Sequence, residues 1–98
     1  MAFAVKITDP SGNAYEVQLR DGDTSIGRDP SNTLVLSGRG VSRKHAKLVV
    51  EGERLTLVDL GSTYGTRVNE MPTLRREIKL GDRLTVGMHQ LEVCQPSK

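Results

Sequence analysis

Tryptophan is absent from this 98-residue chain, and one phenylalanine and two tyrosines are its only aromatics. Proteins that hold single-stranded nucleic acid stack bases on aromatic faces, so that class is excluded. Cysteine occurs once, at Cys94, which rules out an internal disulfide and fits a reducing, intracellular compartment, expected to be the cytoplasm, with the nucleus also allowed. Apolar runs stop at five residues, whereas a membrane-spanning helix needs about 20, and no signal-peptide pattern is present. An excess of one charge is also missing: 14 basic against 12 acidic residues leave a net charge of +2. Such a charge sets up no long-range field that would draw the chain to DNA or to a membrane surface. Linkers, repeats and low-complexity segments are lacking too, so the reading is one domain over residues 1–98.

What the chain has is alternation. Phe3, Val5 and Ile7 point one way and Ala4 and Lys6 the other, predicting a strand over 3–8. Residues 9–13 are turn formers, and Tyr15, Val17 and Leu19 make the apolar face of a return strand. Residues 20–23 turn the chain again, 24–28 form a short third strand, and Leu34 and Leu36 alternate with Thr33 and Val35. After a glycine-containing loop, residues 44–50 read as a strand because Ala46, Leu48 and Val50 recur with a period of two. A hairpin at 51–54 leads into Leu55, Leu57 and Asp59; residues 60–66 are a loop, and the stretch begun by Val68 and Asn69 is broken by Pro72. Leu74, Ile78 and Leu80 restore apolar character ahead of Gly81-Asp82, a two-residue hairpin signal. Leu84 and Val86, then Gly87-Met88, then Leu91 and Val93 make a final hairpin in which Met88 and Cys94 are packing residues. Turn signals recur about every 8 to 12 residues without a helical stripe, and the expected fold is an all-β antiparallel sandwich.

Three loop segments concentrate polar chemistry: Gly27-Arg28, residues 40–45 and residues 61–66. Each joins glycine, which lets backbone N–H groups approach a ligand, to a donor. Arginine offers a planar fork matched to phosphate oxygens, and Ser and Thr hydroxyls fill remaining acceptors. Convergence of the three would make an anion pocket, and it requires the segment 33–36 to be a short crossing. Two other readings of these residues carry less. Ser42, His45 and Asp59 hold the residue types of a hydrolase triad, but a Ser and a His three apart across a loop-to-strand junction do not generally aim at each other. His45, His89 and Cys94 lack the paired spacing of a metal site. Arg75-Arg76 reads as a charged strand edge that resists aggregation.

The ordered set SIGRD (25–29), VSRKHA (41–46), LVDLGSTYGTRVN (57–69) and LGDRLTVG (80–87) resembles the forkhead-associated (FHA) domain, with the likeness running over about residues 24–93. That resemblance implies a β-sandwich whose loops hold the phosphate of a phosphothreonine in an extended peptide, with no catalytic role and no cofactor. By the same resemblance Arg28 and Ser42 bind the phosphate, Arg43 adds a second cation and Thr63 donates from the third loop. His45 braces the loops, Gly27, Gly61 and Gly65 are backbone-permissive positions, Ser62 supports the third loop, and Asn69 matches a structural asparagine. The implied partner is a phosphothreonine-bearing protein or a segment of the parent protein, marked by a Ser/Thr kinase. Two departures stand out. Tyr64 occupies the place where the family usually has an Asn that grips the ligand main chain, and Glu70 stands where glycine commonly follows Asn69. Tyr64 motivates the rival expectation, a phosphate-independent interaction or oligomerisation module of the same fold.

Overall fold

The alternation becomes two facing sheets in the computed structural model, which describes residues 3–96; the inclusion of residues 1–2 and 97–98 in the domain lies outside the described residues. One sheet has the order β2-β1-β11-β10-β7-β8, formed by β1 (Phe3–Thr8), β2 (Ala14–Leu19), β7 (Thr66–Val68), β8 (Met71–Thr73), β10 (Arg83–Val86) and β11 (His89–Cys94). The other has the order β4-β3-β5-β6-β9, formed by β3 (Gly22–Gly27), β4 (Leu34–Val35), β5 (Ala46–Glu51), β6 (Arg54–Asp59) and β9 (Arg75–Ile78). Period-two alternation places Val5, Ile7, Leu84, Val86 and Leu91 from the first sheet against Ile26, Leu48, Leu55 and Leu57 from the second, all fully buried. Burying a side chain of this size stabilises the fold by about 1.5–3 kcal/mol. β1 and β11 run side by side inside their sheet, with Ala4 opposite Cys94 and Thr8 opposite Gln90.

Several sequence expectations are corrected. Gly81-Asp82 is not a hairpin turn: β9 pairs with β6 and β10 with β11 and β7, so residues 79–82 carry the chain from one sheet to the other. Asp82 shapes that crossing by accepting from the Lys79 amide at 2.9 Å. Gly22 and Asp23, read as turn residues, begin β3 and pair with Val50 and Val49. Pro72 does not break the chain but sits in β8 opposite Arg67, tolerated because β8 is an edge strand that leaves its missing N–H without consequence. β2 is also an edge, so only Leu19 of its apolar face is buried while Tyr15 stays exposed. Ala4, assigned to the outer face, is fully buried, its small side chain lying between Gln18 and Cys94. Leu74, Leu80 and Met88 are exposed, and Cys94 is half-buried. Arg75 and Arg76 lie on β9, an edge strand, as expected.

The sandwich is not wholly antiparallel. β4 pairs parallel with β3, Ile26 with Leu34 and Gly27 with Val35, and the Leu36 amide donates to the Gly27 carbonyl at 2.9 Å. Because β4 is two residues long and runs with β3, both strands deliver the chain to the same rim. The short crossing needed for convergence is therefore present.

Candidate functional site

At that rim the loops tie to one another through main-chain bonds before any side chain is considered. The Arg28 amide donates to the Ser42 carbonyl at 2.9 Å, Asp29 to Arg43 at 3.2 Å, and Leu60 to His45 at 2.9 Å. Gly27 makes the closest approach: a Cβ there would overlap the Arg43 carbonyl oxygen and stand 2.7 Å from Asn32 Nδ2. Its requirement is therefore steric and not conformational, since its φ is not positive; Gly61 and Gly65, by contrast, have φ of 79° and 84°.

Two side chains act as internal braces. His45 is fully buried; its Nδ1 accepts from the Ser42 amide at 3.1 Å, and its Nε2 lies 2.9 Å from the Gly65 carbonyl. A carbonyl can only accept, so the Nε2 tautomer is the one that satisfies both contacts. His45 thus joins the second loop to the third. Asp59 gathers the third loop around its carboxylate: Oδ2 accepts from the amides of Gly61 at 3.0 Å and Ser62 at 3.1 Å, and Oδ1 from the hydroxyls of Ser62 at 2.6 Å and Thr66 at 2.8 Å. Partial burial pushes its pKa up, but these bonds, led by the Ser62 hydroxyl, outweigh it and hold the carboxyl below the usual carboxylate range. The hydrolase-triad reading is overturned by the same contacts. Ser42 meets His45 through its amide and not its hydroxyl, and Asp59 is occupied by Ser62 and Thr66.

The outward-facing groups are then Arg28, Ser42, Arg43, Thr63 and Tyr64. Ser42 Oγ accepts from the Thr63 amide at 3.0 Å, which leaves its own O–H to donate. Arg28 Nε donates to the Val41 carbonyl at 3.2 Å, which aims the guanidinium; among the described residues its terminal N–H groups make no hydrogen bond. Arg43 and Lys44 are exposed, and Asp29 lies near both cations. Its carboxyl is held low chiefly by the Ser31 amide, with Lys44 and Arg43 contributing. Tyr64 is 76% exposed and lines, with Arg28, a groove of about 670 Å³ that opens beside the loops. Asn69 does not join this rim: it begins the β7–β8 turn at the far end of β7, about 10 Å along the strand. There its Oδ1 accepts from the Arg83 amide and its Nδ2 donates to Asp82, both at 3.0 Å.

A model of the FHA domain matches residues 24–87. The chain belongs to the FHA domain family. The FHA domain-containing protein FhaA of Mycobacterium tuberculosis is 36% identical over 92 residues, covering 94% of this chain and 17% of that protein. The glycogen accumulation regulator GarA of Mycolicibacterium smegmatis is 38% identical over 68 residues, covering 69% of this chain and 43% of that one. This FHA domain thus spans less than half the length of either relative. A crystal structure of the FhaA FHA domain complexed with the intracellular domain of Rv3910 superposes with a TM-score of 0.83 at 35% identity, covering 93% of this chain and 98% of that one. A second solved FHA domain, from a study of phosphothreonine-dependent FHA domain interactions, gives a TM-score of 0.87 at 33% identity over the whole of both chains.

Two supporting residues of this FHA domain escaped the sequence reading. Asp59 has the residue type of a catalytic acid, but an Asp two residues before Gly-Ser is also the pattern of a side chain that caps its own following turn. Asn32 is buried and donates from Nδ2 to the carbonyls of Asp29 at 2.8 Å and Arg43 at 2.7 Å, bridging the first loop to the second. Its signal was only that of an ordinary turn residue.

Proposed function

We propose that this FHA domain is a non-catalytic module that binds phosphothreonine in an extended segment of a partner or of its own parent protein, inside the cell, after a Ser/Thr kinase has acted. Arg28 and Ser42 take the phosphate, Arg43 adds positive charge and Thr63 donates from the third loop. His45, Ser62, Gly27, Gly61 and Gly65 support them, and Asn69 steadies β7 from its other end. The observation that carries the reading is the Ser42 hydroxyl. Held as an acceptor by the Thr63 amide, it has a free proton beside the unpaired fork of Arg28, which is the donor set a phosphate dianion needs. Membership of a family whose solved members include one from a study of phosphothreonine-dependent interactions supports the same ligand.

The preference for phosphothreonine over phosphoserine would come partly from the methyl group, worth about 0.8 kcal/mol if buried, and partly from the stiffer χ1 of a β-branched residue. Fluorescence anisotropy with degenerate phosphothreonine, phosphoserine and unphosphorylated peptide libraries tests the proposal. Binding confined to phosphothreonine, and lost in Arg28→Ala, is the expected result. Equal binding to the unphosphorylated library would instead favour a phosphate-independent interaction module, with exposed Tyr64 as part of its contact surface.

A further inference from the structure

Beyond the phosphate donors, the groove next to them has an unusual charge balance. It is lined by three arginines, Arg28, Arg39 and Arg67, and by no carboxylate. Val41, Tyr64 and Met88 supply apolar surface between them. The three cations come from three parts of the chain: Arg28 directly follows β3, Arg39 tips the loop before Ser42, and Arg67 projects from the outer face of β7 between buried Thr66 and Val68. Among the described residues none of the three forms a salt bridge. Three like charges around one concavity repel one another, and none of the described residues that line it is an anion that could relieve them.

The position of Arg39 is built. Gly38 and Gly40 flank it with φ of 109° and 83°. A Cβ on Gly40 would stand 3.0 Å from Gly87 Cα, and one on Gly87 would stand 2.7 Å from Val41 Cγ2 and 2.9 Å from the Arg39 carbonyl. The Arg39 loop therefore lies directly on the β10–β11 turn, backbone against backbone. That contact carries Arg39 to the side of the six-stranded sheet, where Arg67 and Thr85 complete the groove wall.

We propose that Arg39 and Arg67 form a second anion subsite, which selects phosphothreonine segments carrying a further negative side chain close in sequence to the phosphothreonine. The inference rests on the phosphopeptide reading, because Arg28 belongs to both the phosphate site and this groove. An extended peptide advances about 3.3 Å per residue, so a segment anchored at Arg28 carries its next few side chains across the groove. The guanidinium fork suits a carboxylate and a phosphate equally, so an acidic residue or a second phosphorylated one would serve. Tyr64, Val41 and Met88 would pack the aliphatic part of such a side chain.

The test is anisotropy with peptides of one phosphothreonine core in which Ala, Asp, Glu, phosphoserine or Lys is placed in turn at each of the flanking positions. Wild type, Arg39→Ala/Arg67→Ala and Arg67→Glu are compared. Wild type is expected to gain about three- to tenfold in affinity from an acid at one or two positions on one side of the phosphothreonine, a gain that shrinks as salt is raised. The double variant should lose that gain while binding the Ala-flanked peptide as wild type does, and Arg67→Glu should prefer the Lys-flanked peptide. A larger gain from phosphoserine than from Asp would identify a second phosphate as the natural group; the reverse would identify a carboxylate. Phosphothreonine binding with no acid-dependent gain, or a gain that persists in the double variant, overturns the second subsite alone. Absence of binding to every phosphopeptide overturns both readings.

Discussion

The Thr63 amide donates to the Ser42 hydroxyl at 3.0 Å, joining the third loop to the second without any ligand present. His45 makes a second junction between the same loops through Ser42 and Gly65. On the proposed reading the donors would therefore be in place before binding, and less ordering entropy would be lost when a phosphate arrives.

Removal of single donors should follow their geometry. Arg28→Ala is expected to lower phosphothreonine-peptide affinity more than about a hundredfold, because charge-assisted bonds of about 1.5–3 kcal/mol are lost and the phosphate is left under-paired. Arg28→Lys should fall between Ala and wild type, keeping the charge but not the fork. Ser42→Ala should cost about tenfold or more and also free the Thr63 amide. Titration calorimetry at one salt concentration ranks the three; an Arg28→Ala protein that binds normally would remove the phosphate site.

Tyr64→Asn should tighten peptide binding. The exposed phenol offers one hydroxyl on a rigid arm, whereas an amide at the same position can donate and accept with a peptide main chain. One added bond of about 1 kcal/mol corresponds to roughly fivefold. The same anisotropy assay reads it, and the gain should appear equally for Ala- and Asp-flanked peptides.

Glu70→Gly should stabilise the domain. Asn69 and Glu70 hold φ of 49° and 70° in the two-residue turn between Val68 and Met71. Asn tolerates that conformation, but Glu does so at about 1 kcal/mol. A rise of several degrees in Tm by calorimetry, with peptide binding unaltered, is expected. An unchanged or lower Tm would show that the turn is not strained by Glu70.

Asp59→Asn should destabilise the fold at neutral pH by about 1–3 kcal/mol, since a carboxylate accepting four hydrogen bonds is replaced by a neutral amide with one accepting oxygen. The folded-state pKa of Asp59 is depressed, so its contribution is complete above the ordinary carboxylate value and is lost as pH falls through the folded value. The gap between wild type and Asp59→Asn in urea denaturation should accordingly narrow below about pH 4. A gap that is the same at pH 3 and pH 7 would argue against an ionised hub.

Binding and stability should respond to acid separately. The second ionisation of a phosphate lies near pH 6, so affinity should be lower at about pH 5 than at 7.5. His89 is buried; desolvation lowers its pKa, against the opposing effects of Asp9 and the Val86 backbone. Its neutral form is therefore favoured in the fold, and the His89 contribution to stability should be complete above about pH 6.5 and decline as pH falls from there. His89→Gln should flatten that decline in urea titrations while leaving the pH profile of binding in place. A binding profile flat from pH 5 to 7.5 would count against capture of the dianion.

Strand existence was legible wherever apolar residues alternated on buried strands, as in Ile26, Leu48, Leu57, Leu84 and Leu91. Failures fell where pairing partners, and not local pattern, decide the outcome. Gly81-Asp82 has the chemistry of a hairpin, yet β9 finds β6 and β10 finds β11 and β7. Pro72 looks like a break until its strand proves to be an edge. In the site, Arg28, Ser42 and His45 stood out because their types and order carry a family pattern. Arg39 and Arg67, 28 residues apart in sequence, had no such signal. Only the contact between the Gly40 loop and the Gly87 turn brings them to one groove.

The pairing of Ala4 with Cys94 has a consequence for larger assemblies. β11 leaves the rim at His89 and reaches Cys94 about 17 Å away, so the first strand in chain order begins, and the last one ends, at the pole opposite the loops. A polypeptide entering through β1 and departing through β11 would do so at neighbouring points. A domain wired in this way can be spliced into a tether like a bead on a looped string, keeping its recognition face outward and unobstructed by the string.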